Sequence, residues 1–146
     1  MIRFWDTSAL VKAYSPREAG HAAAVRALHP RTREVRHMTS MLVAVELVSA
    51  LVRRTGDREL GRAVMRQLDA FDQVEFGEAH RELALRLALG GATRCADTAI
   101  AAQALLVGVA AAEAMEFLTA DIAQARLVRS EARRRAVAMR VVELPI

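Results

Sequence analysis

At 146 residues and 53% hydrophobic content, the chain has enough apolar material for one domain spanning 1–146; Met1 to Asp6 offers no signal-peptide core, and the longest apolar stretch, Ala99 to Ala112, is broken by Gln103 and Gly108. These features argue against export or a membrane span and lead to the expectation of a soluble, cytoplasmic protein, in which the lone Cys95 forms no disulfide framework or cysteine zinc site and is a small buried apolar residue. The net charge of +4 is almost entirely arginine against acid, with Lys12 the only lysine; arginine's planar fork suits phosphate oxygens and favours a polyanionic partner such as RNA, while 4% aromatic content argues against a base-stacking platform.

In chain order, Ile2 to Trp5 reads as a short buried strand, and Asp6-Thr7-Ser8 can cap a helix running through Tyr14. Pro16 separates this helix from a second over roughly Glu18 to Leu28, and Val35 to Thr39 reads as a strand. Ser40 can cap an apolar helix over Met41 to Arg54 that Thr55-Gly56-Asp57 ends, with a further helix over Arg58 to Phe71. Val74 to Phe76 is the next strand candidate, followed by helices near Glu78 to Leu89 and Thr98 to Val107. Phe117 to Thr119 reads as a strand leading into a helix at Asp121 to Val128, and Ala138 to Leu144 as the last strand. Strands alternating with crossover helices imply an α/β fold, with a mainly parallel central sheet covered on both faces.

Four carboxylates, Asp6, Glu46, Asp97 and Asp121, stand in or against apolar stretches. A carboxylate is costly to bury without a partner, and a shared metal ion would compensate all four at once. Asp6 and Asp121 directly follow predicted strands, and Asp97 lies at a predicted helix start. All three therefore belong near the carboxyl edge of the sheet, where open parallel sheets bind ligands. Glu46 joins them from the middle of an aliphatic helix. Each aspartate can also be read as a helix cap, and Glu46 as an ion-pair partner of Arg53, Arg54 or another arginine. If the four do form one cluster, the rest of the molecule carries 21 basic against 13 acidic residues, a surrounding excess of +8.

Other chemistries find little support. His21, His29, His37 and His80 are scattered without zinc spacing or a Ser-His-Asp order, and Gly90-Gly91 lacks the Lys-Ser or Lys-Thr of a phosphate-binding loop. A phosphotransfer receiver needs a lysine after a late strand, which this chain does not have. Arg133-Arg134-Arg135 is either a solvated face or a contact for RNA phosphate.

The segments Trp5-Asp6-Thr7-Ser8-Ala9-Leu10-Val11-Lys12, Val45-Glu46-Leu47-Val48-Ser49-Ala50-Leu51, Ala96-Asp97-Thr98-Ala99-Ile100-Ala101-Ala102-Gln103-Ala104 and Phe117-Leu118-Thr119-Ala120-Asp121, in this order and spacing, resemble the PIN-domain nucleases, most closely the VapC-like toxins of type II toxin–antitoxin pairs. The resemblance spans essentially the whole chain. It implies a three-layer α/β/α fold, Mg²⁺- or Mn²⁺-dependent ribonuclease activity on RNA such as transfer RNA, inhibition by a cognate antitoxin, and a homodimer. Asp6, Glu46, Asp97 and Asp121 match the family's four acids, and Ser8 and Thr119 match positions where it often places a hydroxyl. After Asp97 the chain departs from many relatives, carrying Thr98-Ala99-Ile100 in place of a histidine-containing stretch.

Hard divalent cations take oxygen ligands, and Mg²⁺ uses only one or two carboxylates directly. Asp6 and Asp97 are therefore assigned the direct contacts, with Glu46 and Asp121 orienting water or holding a second ion. A cluster of like charges should also raise and couple its pKa values. The competing readings are a catalytically silent PIN-like RNA-binding protein and an RNA-processing nuclease without an antitoxin. The helices carrying Leu47, Val48, Leu51 and Val52, and Val64, Met65 and Leu68, hold more apolar positions than one sheet face needs, which suits a groove for an antitoxin segment.

Overall fold

The aromatic, apolar sequence of β1 (Ile2–Trp5) is that of a strand covered on both faces, and β1 occupies the centre of the sheet. The computed structural model describes residues 1–30, 34–91 and 94–145. After β1 come α1 (Thr7–Tyr14), α2 (His21–Leu28), β2 (Arg36–Ser40), α3 (Met41–Thr55), α4 (Arg58–Leu68), β3 (Asp72–Val74), α5 (Glu78–Ala88), α6 (Cys95–Ala110), β4 (Met115–Thr119), α7 (Ile122–Arg134) and β5 (Met139–Glu143). The sheet has the order β3-β2-β1-β4-β5 and every pairing is parallel, so each strand reaches the next through a helical crossover. The result is the three-layer α/β/α arrangement. Its core joins Phe4 and Phe117, stacked across β1 and β4, to Leu47 and Leu51 of α3, Ile100 and Leu105 of α6 and Val128 of α7. Among the described residues, no helix is long and apolar enough to cross a membrane.

Where the observed elements depart from the sequence expectations, burial and pairing give the reasons. Helix α7 runs six residues beyond Val128, because its buried stripe of Gln124, Ala125 and Val128 continues to Ala132 while the intervening arginines face out. Strand β3 lies at Asp72–Val74 and not at Val74–Phe76: its register is set by pairing with Met38–Ser40, and Phe76 is left 42% exposed. Helix α6 starts at Cys95, three residues early, so Asp97 sits inside its first turn and Cys95 is exposed at its tip instead of buried. Helix α2 starts at His21, after Gly20, whose φ of 83° is a left-handed conformation; a Cβ there would also lie 2.6 Å from the carbonyl oxygen of Pro145.

Nothing in the sequence singles out Glu116 as a buried charge. Glu116, in the middle of the apolar β4, is flanked in register by Arg3 of β1 and Arg140 of β5. Arg3 donates to it at 2.7 Å and also to the Ala27 carbonyl at 2.5 Å, and Arg140 pairs with its other oxygen. Burial pushes the Glu116 carboxyl up, but the two guanidinium groups outweigh it and hold the group below its ordinary value. Glu116→Gln should therefore cost about 3 to 5 kcal/mol in urea unfolding, because it leaves the Arg3 charge half-buried and unbalanced. Arg140→Gln, at a side chain 71% exposed, should cost about 1 kcal/mol or less.

Candidate active site

From β1 the chain turns toward β2, and from β4 it turns the other way, toward β5. Helices α1 and α7 thus diverge from neighbouring strand ends and leave a crevice at the topological switch point, the preferred ligand position of open parallel sheets. Asp6 ends the β1 side of this crevice, and Thr119 and Asp121 end the β4 side. The backbone stitches the two together, since Asp6 N–H donates to the Leu118 carbonyl at 3.0 Å.

Asp6 is 2% exposed and held by neutral donors. Its Oδ2 accepts the Ser8 N–H at 3.1 Å, the Ser8 hydroxyl and the Thr119 hydroxyl at 2.9 Å. The two hydroxyls are themselves placed by backbone: Ala120 N–H donates to Ser8 Oγ at 2.8 Å and Asp121 N–H to Thr119 Oγ1 at 3.0 Å. Ser8 and Thr119 therefore both touch the carboxylate they were expected to accompany. Burial raises the Asp6 pKa, with the bonds from Ser8 and Thr119 acting against that rise.

The other three acids face the same space. A cavity of about 560 Å³ is lined by Asp6, Glu46, Asp97 and Asp121, with Lys12, Arg53, Arg54 and Arg94 among its walls. Glu46 points in from α3 and accepts the Thr7 hydroxyl at 2.6 Å; Arg54 pairs with Glu18 instead of with Glu46. Asp121 caps α7 through Oδ1, which accepts Gln124 N–H at 2.9 Å, and Asp6 likewise caps α1. For these two residues the cap and the cavity wall are one position, so the two readings do not compete. The Asp97 pKa is pushed up to about 6, first by burial and then by the charges of Asp6, Asp121 and Glu46. That influence of three acids on a fourth is the electrostatic sign of one cluster.

The donor set fits a hard divalent cation. All four groups are carboxylates, and among the described residues none of them stands in an ion pair with arginine or lysine. Among those residues, no three His, Cys, Asp or Glu side chains are gathered tightly enough to close on an ion as they stand. The cavity is thus lined by acids without being a finished cage.

The remaining candidates take structural roles. His37 accepts the Trp5 indole N–H at 2.9 Å, His80 accepts the Gly77 N–H at 3.1 Å, and His21 bonds the Lys12 carbonyl at 2.7 Å. Arg134 and Arg135 pair with Glu131 of their own helix. Sequence reasoning misses Gln124, which is fully buried with its amide 2.8 and 3.1 Å from the two Asp6 oxygens. Asp121-Ile122-Ala123-Gln124 has the spacing of a helix capping box, and that pattern reads as an ordinary helix start.

The model of the PIN domain family matches residues 3–136, and the chain belongs to that family. Among solved structures it is similar to VapBC2 from Rickettsia felis bound to a DNA fragment from its promoter, with 17% identity, 98% of each chain covered and a TM-score of 0.62. It is also similar to VapBC-1 from nontypeable Haemophilus influenzae (14% identity, 98% of each chain, TM-score 0.67). A third similar structure is VapC20 from Mycobacterium tuberculosis, a sarcin-ricin loop cleaving toxin (20% identity, 77% of this chain and 86% of that one, TM-score 0.61). No curated protein matches by sequence.

Folding raises the proton affinity of Asp97 above its ordinary value of 3.8, so its contribution to stability is greatest below that pH and is lost as pH rises through about 6. In urea unfolding with EDTA, wild type should lose about 1 to 2 kcal/mol between pH 4 and pH 7 relative to Asp97→Asn, once the half-exposed position of the side chain is allowed for. Parallel pH profiles for the two proteins would refute the acid cluster.

Proposed function

We propose that the chain is a metal-dependent endoribonuclease toxin of the VapC type, one PIN domain that hydrolyses RNA phosphodiester bonds at Asp6, Glu46, Asp97 and Asp121. The observation that carries this reading is the lining of one cavity at the sheet's switch point: four carboxylates without ion-pair partners among the described residues, ringed by cationic side chains. When bound, Mg²⁺ or Mn²⁺ supplies charge compensation for the scissile phosphate and activation of water. Asp6 and Asp97 would hold the ion, with Ser8 and Thr119 fixing the Asp6 carboxylate. Glu46 and Asp121 would orient the attacking water, one of the two carboxylates taking its proton as the bond from phosphorus to the leaving oxygen breaks. Arg53 and Arg94, exposed at the cavity wall, steady flanking phosphates of a structured RNA such as transfer RNA.

A second surface supports regulation by an antitoxin. The apolar residues of α3 and α4 divide: Leu47, Leu51 and Val64 are buried in the core, while Val45, Val48, Val52 and Met65 line a groove of about 580 Å³ that the buried Leu68 also lines. Val45 is 72% exposed, and with Ser49 it lines both the groove and the acidic cavity. A partner segment lying in the groove can thus extend an arginine to the carboxylates and block both ion and RNA. The toxin–antitoxin assemblies among the similar structures support this reading.

Purified protein incubated with a small-RNA pool should yield discrete products with Mg²⁺ or Mn²⁺, none in EDTA, and none from Asp6→Ala; intact RNA from folded, inhibitor-free protein in every condition would refute the nuclease. Val48→Asp combined with Met65→Glu should weaken binding of the antitoxin encoded beside the toxin at least tenfold while RNA cleavage continues. Loss of cleavage in that variant, or undiminished inhibition, would move the antitoxin site elsewhere.

A further inference from the structure

We propose that Gln124 is a positioning residue that clamps the Asp6 carboxylate for cation binding, an inference that rests on the metal-dependent reading of the site. The side chain is fully buried and comes from the first turn of α7, on the β4 side of the switch point, to reach Asp6 on the β1 side. The spacing Asp121-x-x-Gln124 would ordinarily turn the glutamine back to cap the Asp121 N–H. Here that N–H is already taken by Thr119 Oγ1 at 3.0 Å, and the glutamine is released to point inward.

Which end of the amide faces Asp6 follows from charge. With its oxygen inward, it would set a lone pair against both carboxylate oxygens and gain only a Thr119 hydroxyl bond at 3.0 Å and a long bond to the Asp97 carbonyl at 3.3 Å. With its nitrogen inward, it donates to Asp6 Oδ2 at 2.8 Å and Oδ1 at 3.1 Å, and meets Thr119 Oγ1 at 3.0 Å. Hydrogen bonds to an ionised acceptor are about twice as strong as neutral ones, so the inward nitrogen is the stable arrangement. Ser8 and Thr119 hold Oδ2, and among the described residues Gln124 is the side chain that reaches Oδ1. The amide thereby adds a side-chain donor on Oδ1 opposite the Ser8 and Thr119 bonds on Oδ2, and so helps to fix the rotation of the carboxylate plane.

Groups that orient a ligand typically govern metal affinity by about 10- to 100-fold. Mn²⁺ binding to RNA-free protein, read by electron paramagnetic resonance, should weaken by that factor in Gln124→Met, which keeps the shape and loses the donor. A purely structural role would lower the melting temperature in EDTA and leave Mn²⁺ affinity at the wild-type value; that result in the folded variant overturns the proposal. If Gln124→Met does not fold, wild type decides by NMR. The Gln124 side-chain NH₂ should be protected from exchange and should shift in Asp6→Asn, whereas a freely exchanging NH₂ overturns the clamp. Wild-type protein that binds no Mn²⁺, with Asp6→Ala indistinguishable from it, would instead defeat the metal-dependent reading and leave the amide exchange to judge the clamp on its own.

Discussion

The structure turns on a negative charge buried where two parallel strands end side by side. Desolvating Asp6 is costly, and the protein meets that cost with neutral donors from both strands: Ser8 after β1 and Thr119 at the end of β4. Each donor is in turn placed by a backbone N–H of the opposite or the same crossing, through Ala120 to Ser8 and Asp121 to Thr119. Neutral donors lower the energy of the carboxylate without cancelling its charge. The residual field extends into the cavity, where it meets Asp121, Glu46 and Asp97. An arginine in the same place would have neutralised the carboxylate and left a site with nothing to attract a cation.

Glu116 shows that alternative within the same sheet. It too is a carboxylate in an apolar strand, and it is neutralised by Arg3 and Arg140 in register on the neighbouring strands. The contrast separates two uses of a buried acid on adjacent parts of one scaffold. At Glu116 the charge is consumed in holding three strands together, while at Asp6 it is preserved. What differs is the chemistry of the partners, a pair of guanidinium groups in one case and hydroxyls and amides in the other.

Much of this was legible in the sequence. Asp6 and Asp121 are revealed by local grammar, a strand followed at once by an acid and a helix. Glu46 is revealed by a charge in mid-helix among aliphatic residues. Partners fixed by tertiary approach were harder to read. Gln124 hides in a capping pattern whose usual function Thr119 has taken over, and Glu116 finds its arginines on strands far away in sequence. Cys95 looked like a core residue because its type usually is one, but its exposure follows from the start of α6, which no strong cap marks: Arg94 precedes it without a side-chain bond to the helix. The end of α7 was obscured by arginines, whose long polar side chains mask the small buried residues Ala125 and Ala132 between them.

The outer strands carry one more consequence. Among the described residues β3 and β5 are the outer strands of an open parallel sheet, and each presents an edge that another chain could extend. Here β3 is only three residues long and begins with the exposed Asp72, tethered to Arg36 at 3.4 Å, and β5 places Arg140 and Glu143 on either side of its two valines. Both edges are therefore too short or too charged to accept a foreign strand comfortably. A chain with 53% hydrophobic residues is thereby guarded against edge-to-edge aggregation by the same scattered charges that its overall composition would suggest serve only as a solvated coat.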